Sequence, residues 1–129
     1  MRDYQPEKNN PYWLPKSLYR RTLYLIRDYD RMVEEKEDIP TDKATGGQGG
    51  GGIGDRTGSA GVRAAEISRD IAAVDHAMEM IPEEYRGGVW QSVAYSLPYP
   101  RDADRRTYSR WKSRFIYYVA ANKGWLRLE

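Results

Sequence analysis

Arginine, lysine and serine crowd the stretch from Arg101 to Arg114, and these are side chains that grip phosphate and read base edges. From Arg101 to Glu129 there are eight Lys/Arg against three Asp/Glu, a regional +5, while the first 100 residues hold 13 against 16. The net charge of +2 conceals this split. Tyr108, Trp111, Phe115 and Tyr118 recur at the 3–4 spacing of an amphipathic helix, and Val119 and Asn122 join that face. Asp102 or Asp104 caps its start and Gly124 its end, which predicts a basic helix over 104–123. At about 100° per residue, Arg106, Arg110, Ser113 and Tyr117 then project outward, with Ser109 toward the same side. Arg105 and Arg114 fall on the flanks, and Lys112 sits near the apolar edge, from which its stem would snorkel. The pattern predicts Arg106, Ser109, Arg110 and Ser113 as base-facing residues. Arg101, Arg105, Lys112 and Arg114 are the expected phosphate contacts. The plain alternative is a solvated helix face, but such a face usually mixes charge signs.

Other chemistries find little support. There is no Cys, which removes disulfides and thiolate zinc sites. His76 is the only histidine, and it lies off the apolar seam of its helix. No triad or zinc arrangement is left, so neither an enzyme nor a metal or other cofactor is expected. Gly49 to Gly54 formally matches G-x-G-x-x-G, but no strand precedes it and no Gly-Lys-Ser/Thr follows. The acids Asp28, Asp30, Glu34, Glu35, Glu37 and Asp38 alternate with Arg27, Arg31 and Lys36, as in i,i+4 pairing on a helix. Arg20, Arg21 and Arg27 could extend a phosphate-contacting surface. With eight acids and eight bases before Pro40 they read as members of local pairs.

The elements that must position these residues are helical. Residues 1–14 read as an extended arm pinned by Trp13 and Leu14. A first helix over 15–39 carries the stripe Leu18, Thr22, Leu25, Tyr29 and Met32, widened by Tyr19, Leu23, Ile26 and Val33. The glycines of 40–58 predict a flexible linker. A second helix over 59–81 shows Ala60, Ala64, Ile67, Ile71, Val74, Met78 and Ile81 in unbroken 4-3-4-3 order, so the two should form a long antiparallel hairpin. Residues 82–129 read as a helix-turn-helix-like unit. Pro82-Glu83-Glu84 opens a third helix, Tyr85, Val89, Trp90 and Val93 give it a face, and Leu97-Pro98-Tyr99-Pro100 breaks the chain before the basic helix. The expected fold is therefore all-α in a single domain. No apolar run spans a membrane and Met1 to Pro6 has no apolar signal core, so a cytoplasmic protein with no membrane partner is expected.

Several segments resemble small prophage-encoded proteins of Gram-positive gut bacteria. These are Tyr12-Trp13-Leu14-Pro15, Leu23-Tyr24-Leu25-Ile26-Arg27-Asp28-Tyr29 and Ile81-Pro82-Glu83-Glu84-Tyr85-Arg86. The stretch from Thr107 to Ala120 is similar to the RinA/ArpU-like phage late-transcription activators. The resemblance implies a helix-turn-helix akin to region four of sigma factors, in a host bacterial cell. It implies binding of double-stranded DNA near a promoter, with RNA polymerase as a partner. A single domain with few base contacts binds weakly, so a homodimer or a polymerase contact is expected. The alternatives are a phage-encoded adaptor or inhibitor of a host protein, and a small terminase-like DNA-packaging protein.

Overall fold

The computed structural model of the chain describes residue 5, residues 10–38 and residues 54–126. It is all-α: five helices and, among the described residues, no strand. They are α1 (Lys16–Arg27), α2 (Tyr29–Asp38), α3 (Gly54–Glu79), α4 (Glu83–Tyr95) and α5 (Arg105–Asn122). Among the described residues no helix is long and apolar enough to cross a membrane.

Helix α1 starts behind Pro15, whose fixed φ (−56°) suits a helix entry and whose carbonyl accepts the Tyr19 N–H at 2.8 Å. The chain before it is tied by Gln5, whose side chain donates to the Leu14 carbonyl (2.5 Å) and accepts from the Leu14 N–H (3.1 Å). Leu14 is buried, whereas Trp13, expected to share the anchoring, is 39% exposed. The inner face of α1 is Tyr19, Thr22, Leu23 and Ile26, and Thr22 satisfies its hydroxyl on the Leu18 carbonyl.

The single helix expected over 15–39 is interrupted at Asp28 (φ −89°, ψ 1°), whose N–H is shared between the carbonyls of Tyr24 and Leu25. The interruption lets the two pieces serve two cores. Tyr19, Leu23 and Ile26 join Val74, Val89, Val93, Phe115 and Val119 in the main core, while Met32 of α2 packs with Ile67 and Ile71. Tyr29 donates to Asp75 and Arg63 pairs with Glu35, a register that sets α2 and α3 antiparallel. Helix α1 lies instead mainly on α4 and α5, and Arg27 Nε donates to the Val93 carbonyl at 3.1 Å. The pairing expected of the whole stretch 15–39 with 59–81 thus belongs to its α2 half.

Of the linker expected over 40–58, residues 40–53 lie outside the described residues, and residues 54–58 are helical, as the start of α3. From Ile67 onward the predicted stripe is the buried one: Ile67, Ile71, Val74 and, just past the helix end, Ile81. Helix α4 follows Pro82 with Glu83 and Glu84 in its first turn, where acids favour the dipole. It ends at Ser96 in the left-handed region (φ 57°), with the N–H groups of Ser96 and Leu97 returning to the carbonyls of Ser92 and Gln91. Helix α5 is capped by Asp104, whose Oδ1 accepts the Arg106 N–H at 2.9 Å, and Gly124 closes it at φ 73°. It packs against α1, α3 and α4, which makes it the strut of the bundle.

Candidate functional site

The break between α4 and α5 is held on both sides. Gln91 Nε2 donates to the Pro98 carbonyl at 2.7 Å, the Tyr99 ring stacks on Tyr108 (centroids 5.2 Å, 12° between planes), and Pro100 lies over Gly88. Asp102 Oδ1 accepts the Tyr108 hydroxyl at 2.5 Å. That hydrogen bond, with burial and the Asp102 charge behind it, pushes the Tyr108 phenol up to about 12. A chain segment tied at four successive points keeps a fixed shape, and this shape is concave.

The resulting groove has a volume of about 1000 Å³. Arg101, Arg105, Arg106 and Lys112 line it together with Ser92, Tyr99 and Ser109. Asp104 is the sole carboxylate of the lining, and its Oδ1 is engaged as the cap of α5. Asp102 is likewise engaged by Tyr108. Among the described residues, no carboxylate forms an ion pair with Arg101, Arg105, Arg106 or Arg110. Four exposed guanidinium groups at one end of a helix that has five cations and no acid make a strongly positive surface. Burial raises the Tyr99 phenol, partly offset by hydrogen bonds with Ser92 and Ser109 and by the Arg105 charge.

Of the eight residues singled out in the sequence, Arg101, Arg105, Arg106, Ser109 and Lys112 come together in this groove. Arg106 and Arg110 are exposed, and Ser109 is half-buried. Ser113 departs from expectation: it is only 9% exposed and faces the core, not solvent. Lys112, expected to reach out from the apolar edge, is 8% exposed and forms part of the groove floor. Arg114 is a clamp more than a free cation, since its guanidinium lies 4.8 Å from the Trp111 ring centre and 5.0 Å from that of Tyr12. The cause is one rotation. The buried arc of α5 is Tyr108, Lys112, Ser113, Phe115, Ile116, Val119 and Ala120, with Trp111 and Tyr118 only partly buried. At about 100° per residue this arc is turned about 90° from the expected stripe of Tyr108, Trp111, Phe115 and Tyr118. Ile116 and Ala120 fill the inside, and Trp111 and Tyr118 lie at the boundary.

Sequence reasoning missed Ser92 and Tyr99. Tyr99 stands two residues before Arg101, but nothing in a linear pattern brings Ser92 of α4 beside it. Among the described residues no three potential metal ligands come together. No family model matches the chain, and neither a curated protein nor a solved structure matches it.

Proposed function

We propose that the chain binds duplex DNA at the basic end of α5, as a small non-enzymatic regulator of the kind that the C-terminal resemblance implies. One observation carries the reading: Arg101, Arg105, Arg106 and Arg110 stand exposed with no ion pair among the described residues, and the two nearby acids, Asp102 and Asp104, are engaged by the fold. A duplex presents one negative charge per about 1.7 Å of axis, and cations that have no internal partner release its counterions on binding. The concave groove suits a phosphodiester strand, with Arg101 and Arg105 on phosphates and Arg106 and Arg110 toward base edges. Lys112 lies in the groove lining, and Ser109 offers a hydroxyl. Ser113 has no place in this contact. Binding near a promoter, a polymerase partner and a second copy of the chain belong to the same proposal.

The test is the salt dependence of duplex affinity, read by fluorescence anisotropy. The two phosphate contacts of the groove, Arg101 and Arg105, contribute about −1.8 to the slope of log K against log salt. Arg101→Ala should flatten it by about 0.9, uniformly across sequences. Arg106→Ala and Arg110→Ala should instead relax any sequence preference. A chain that ignores both specific and random duplexes at low salt, yet forms a nuclease-resistant complex with a protein, would reverse the choice in favour of the adaptor reading.

A further inference from the structure

We propose that α1 carries a second phosphate-binding surface, built from Lys16, Arg20 and Arg21 with Ser17 and Tyr24, which takes the sugar-phosphate backbone of nucleic acid. It takes its ligand class, though none of its residues, from the reading of α5. Helix α1 has four cations and no acid. Spacings of four place Lys16, Arg20 and Tyr24 in one row and Ser17 and Arg21 in the next, and these five side chains line a single shallow concavity of about 710 Å³. Like charges at i,i+4 repel, and ion pairs with the neighbouring acidic helix would remove that cost. They are not made. Among the described residues, Asp28 at the break pairs with Arg31, and in α2 Glu35 pairs with Arg31 and Arg63 while Asp30 accepts from the Tyr95 hydroxyl. No carboxylate among the described residues forms an ion pair with Lys16, Arg20 or Arg21. The even count of acids and bases before Pro40 therefore hides a segregation, with four cations and no acid on α1 and five acids against two cations on α2.

Two features turn this patch from loose charge into a site. The Arg21 guanidinium lies 3.8 Å over the Trp125 ring, a cation–π contact that fixes its position on this surface. Tyr24, 65% exposed, offers a hydroxyl and a ring beside Arg20. An anionic membrane is the poorer fit, because a helix lying on lipid inserts its apolar face, and Tyr19, Leu23 and Ile26 are buried in the core. The surface is also distinct from the groove. It adjoins Trp125, just past the C-terminal end of α5, whereas the groove sits at the N-terminal end, about 27 Å away along an 18-residue helix.

The deciding experiment is a two-dimensional amide NMR titration of the full chain with a random-sequence DNA duplex at low salt. It follows Ser17, Arg20, Arg21 and Tyr24 as one set and Arg105, Arg106, Ser109 and Arg110 as the other. Both sets are expected to shift, and Lys16→Ala/Arg20→Ala should quench the α1 shifts, leave the α5 shifts and flatten the salt slope by about 1.8. Shifts confined to α5 overturn the second surface and leave the groove standing. Shifts confined to α1 do the reverse. No shift in either set overturns both. A response of the α1 set to phosphatidylglycerol vesicles and not to duplex overturns the assignment in favour of lipid.

Discussion

Replacing Gly88 with alanine sets two effects of known size against each other, and replacing Gly87 isolates one of them. An interior helical glycine costs about 1 kcal/mol relative to alanine. At Gly87 an added Cβ meets nothing within 4 Å, so Gly87→Ala should recover most of that, about 0.5–1 kcal/mol. At Gly88 the same Cβ would stand 2.7 Å from Pro100 Cδ and 3.0 Å from its Cγ, and it would overlap the Tyr108 ring at Cε1. Neither neighbour yields easily. Tyr108 is 1% exposed, stacked on Tyr99 and tied to Asp102; Pro100 is a rigid ring in a segment held by Gln91. Relief requires α4 and α5 to part, and overpacking of this kind costs about 1–3 kcal/mol. With both rings inside contact distance the upper end applies, so the net loss is about 2 kcal/mol and the two alanine variants differ by about 3 kcal/mol. Urea and thermal unfolding followed by circular dichroism read this directly. Because Pro98, Tyr99 and Pro100 line the groove, Gly88→Ala should also weaken duplex binding while Gly87→Ala leaves it intact. If the two variants unfold at the same midpoint, the close packing of α4, the proline break and α5 is refuted.

Three more outcomes are expected. Ser113→Ala should leave any sequence preference of duplex binding unchanged, while Arg101→Ala and Arg105→Ala each flatten the salt slope by about 0.9; a lost preference in Ser113→Ala would restore an outward Ser113. The Tyr108 phenol is raised to about 12. The folded state holds this proton more tightly than the unfolded chain, so its stabilisation is complete below about pH 10 and lost as pH rises through about 12, by at most about 2.7 kcal/mol, less because exposed Asp102 is screened. Asp102→Asn removes the main cause of the shift, so its stability curve should converge on that of the native chain between those pH values, and parallel curves would contradict this. Arg114→Ala should cost about 1–2 kcal/mol by uncovering Tyr12 and Trp111, with little change in the salt slope.

The residues differ in how much of this they announce. The 4-3-4-3 row of α3 was legible because Ile67, Ile71, Val74 and Ile81 are aliphatic, and aliphatic side chains have no reason to sit at a boundary. In α5 the period was legible and the phase was not. Trp111 and Tyr118 dominate the pattern by size, but their polar edges let them lie half-covered beside Arg114 and Tyr12, while the stem of Lys112 fills an inward position that its type disguises. The same rotation removed Ser113 from the candidate site. A cap at Asp102 or Asp104 was readable from type alone; which acid serves was settled by Tyr108, six residues on, reaching back to Asp102. The break at Asp28 left no propensity signal, because it arises from the need to face two cores. The groove depends on Ser92 meeting Tyr99 and Ser109, a tertiary contact that no periodicity encodes.

The central position of α5 constrains what the proposed DNA contact can achieve. A helix packed against α1, α3 and α4 has only a narrow strip to present, and on that strip Arg106 and Arg110 are the groups able to make bidentate contacts with bases. A good bidentate contact contributes about 1–3 kcal/mol of discrimination, so two contribute about 2–6 kcal/mol. Specific sites are typically favoured over random DNA by about 4–10 kcal/mol. The strip alone therefore reaches the lower part of that range, while the cations on α5 and α1 add affinity without sequence information. On this reading, selectivity at a defined operator requires a second reading head, and a second copy of the chain is the simplest source of one. A monomeric complex that discriminates its site by more than about 6 kcal/mol would exceed what Arg106 and Arg110 can supply and would place the reading surface elsewhere on the molecule.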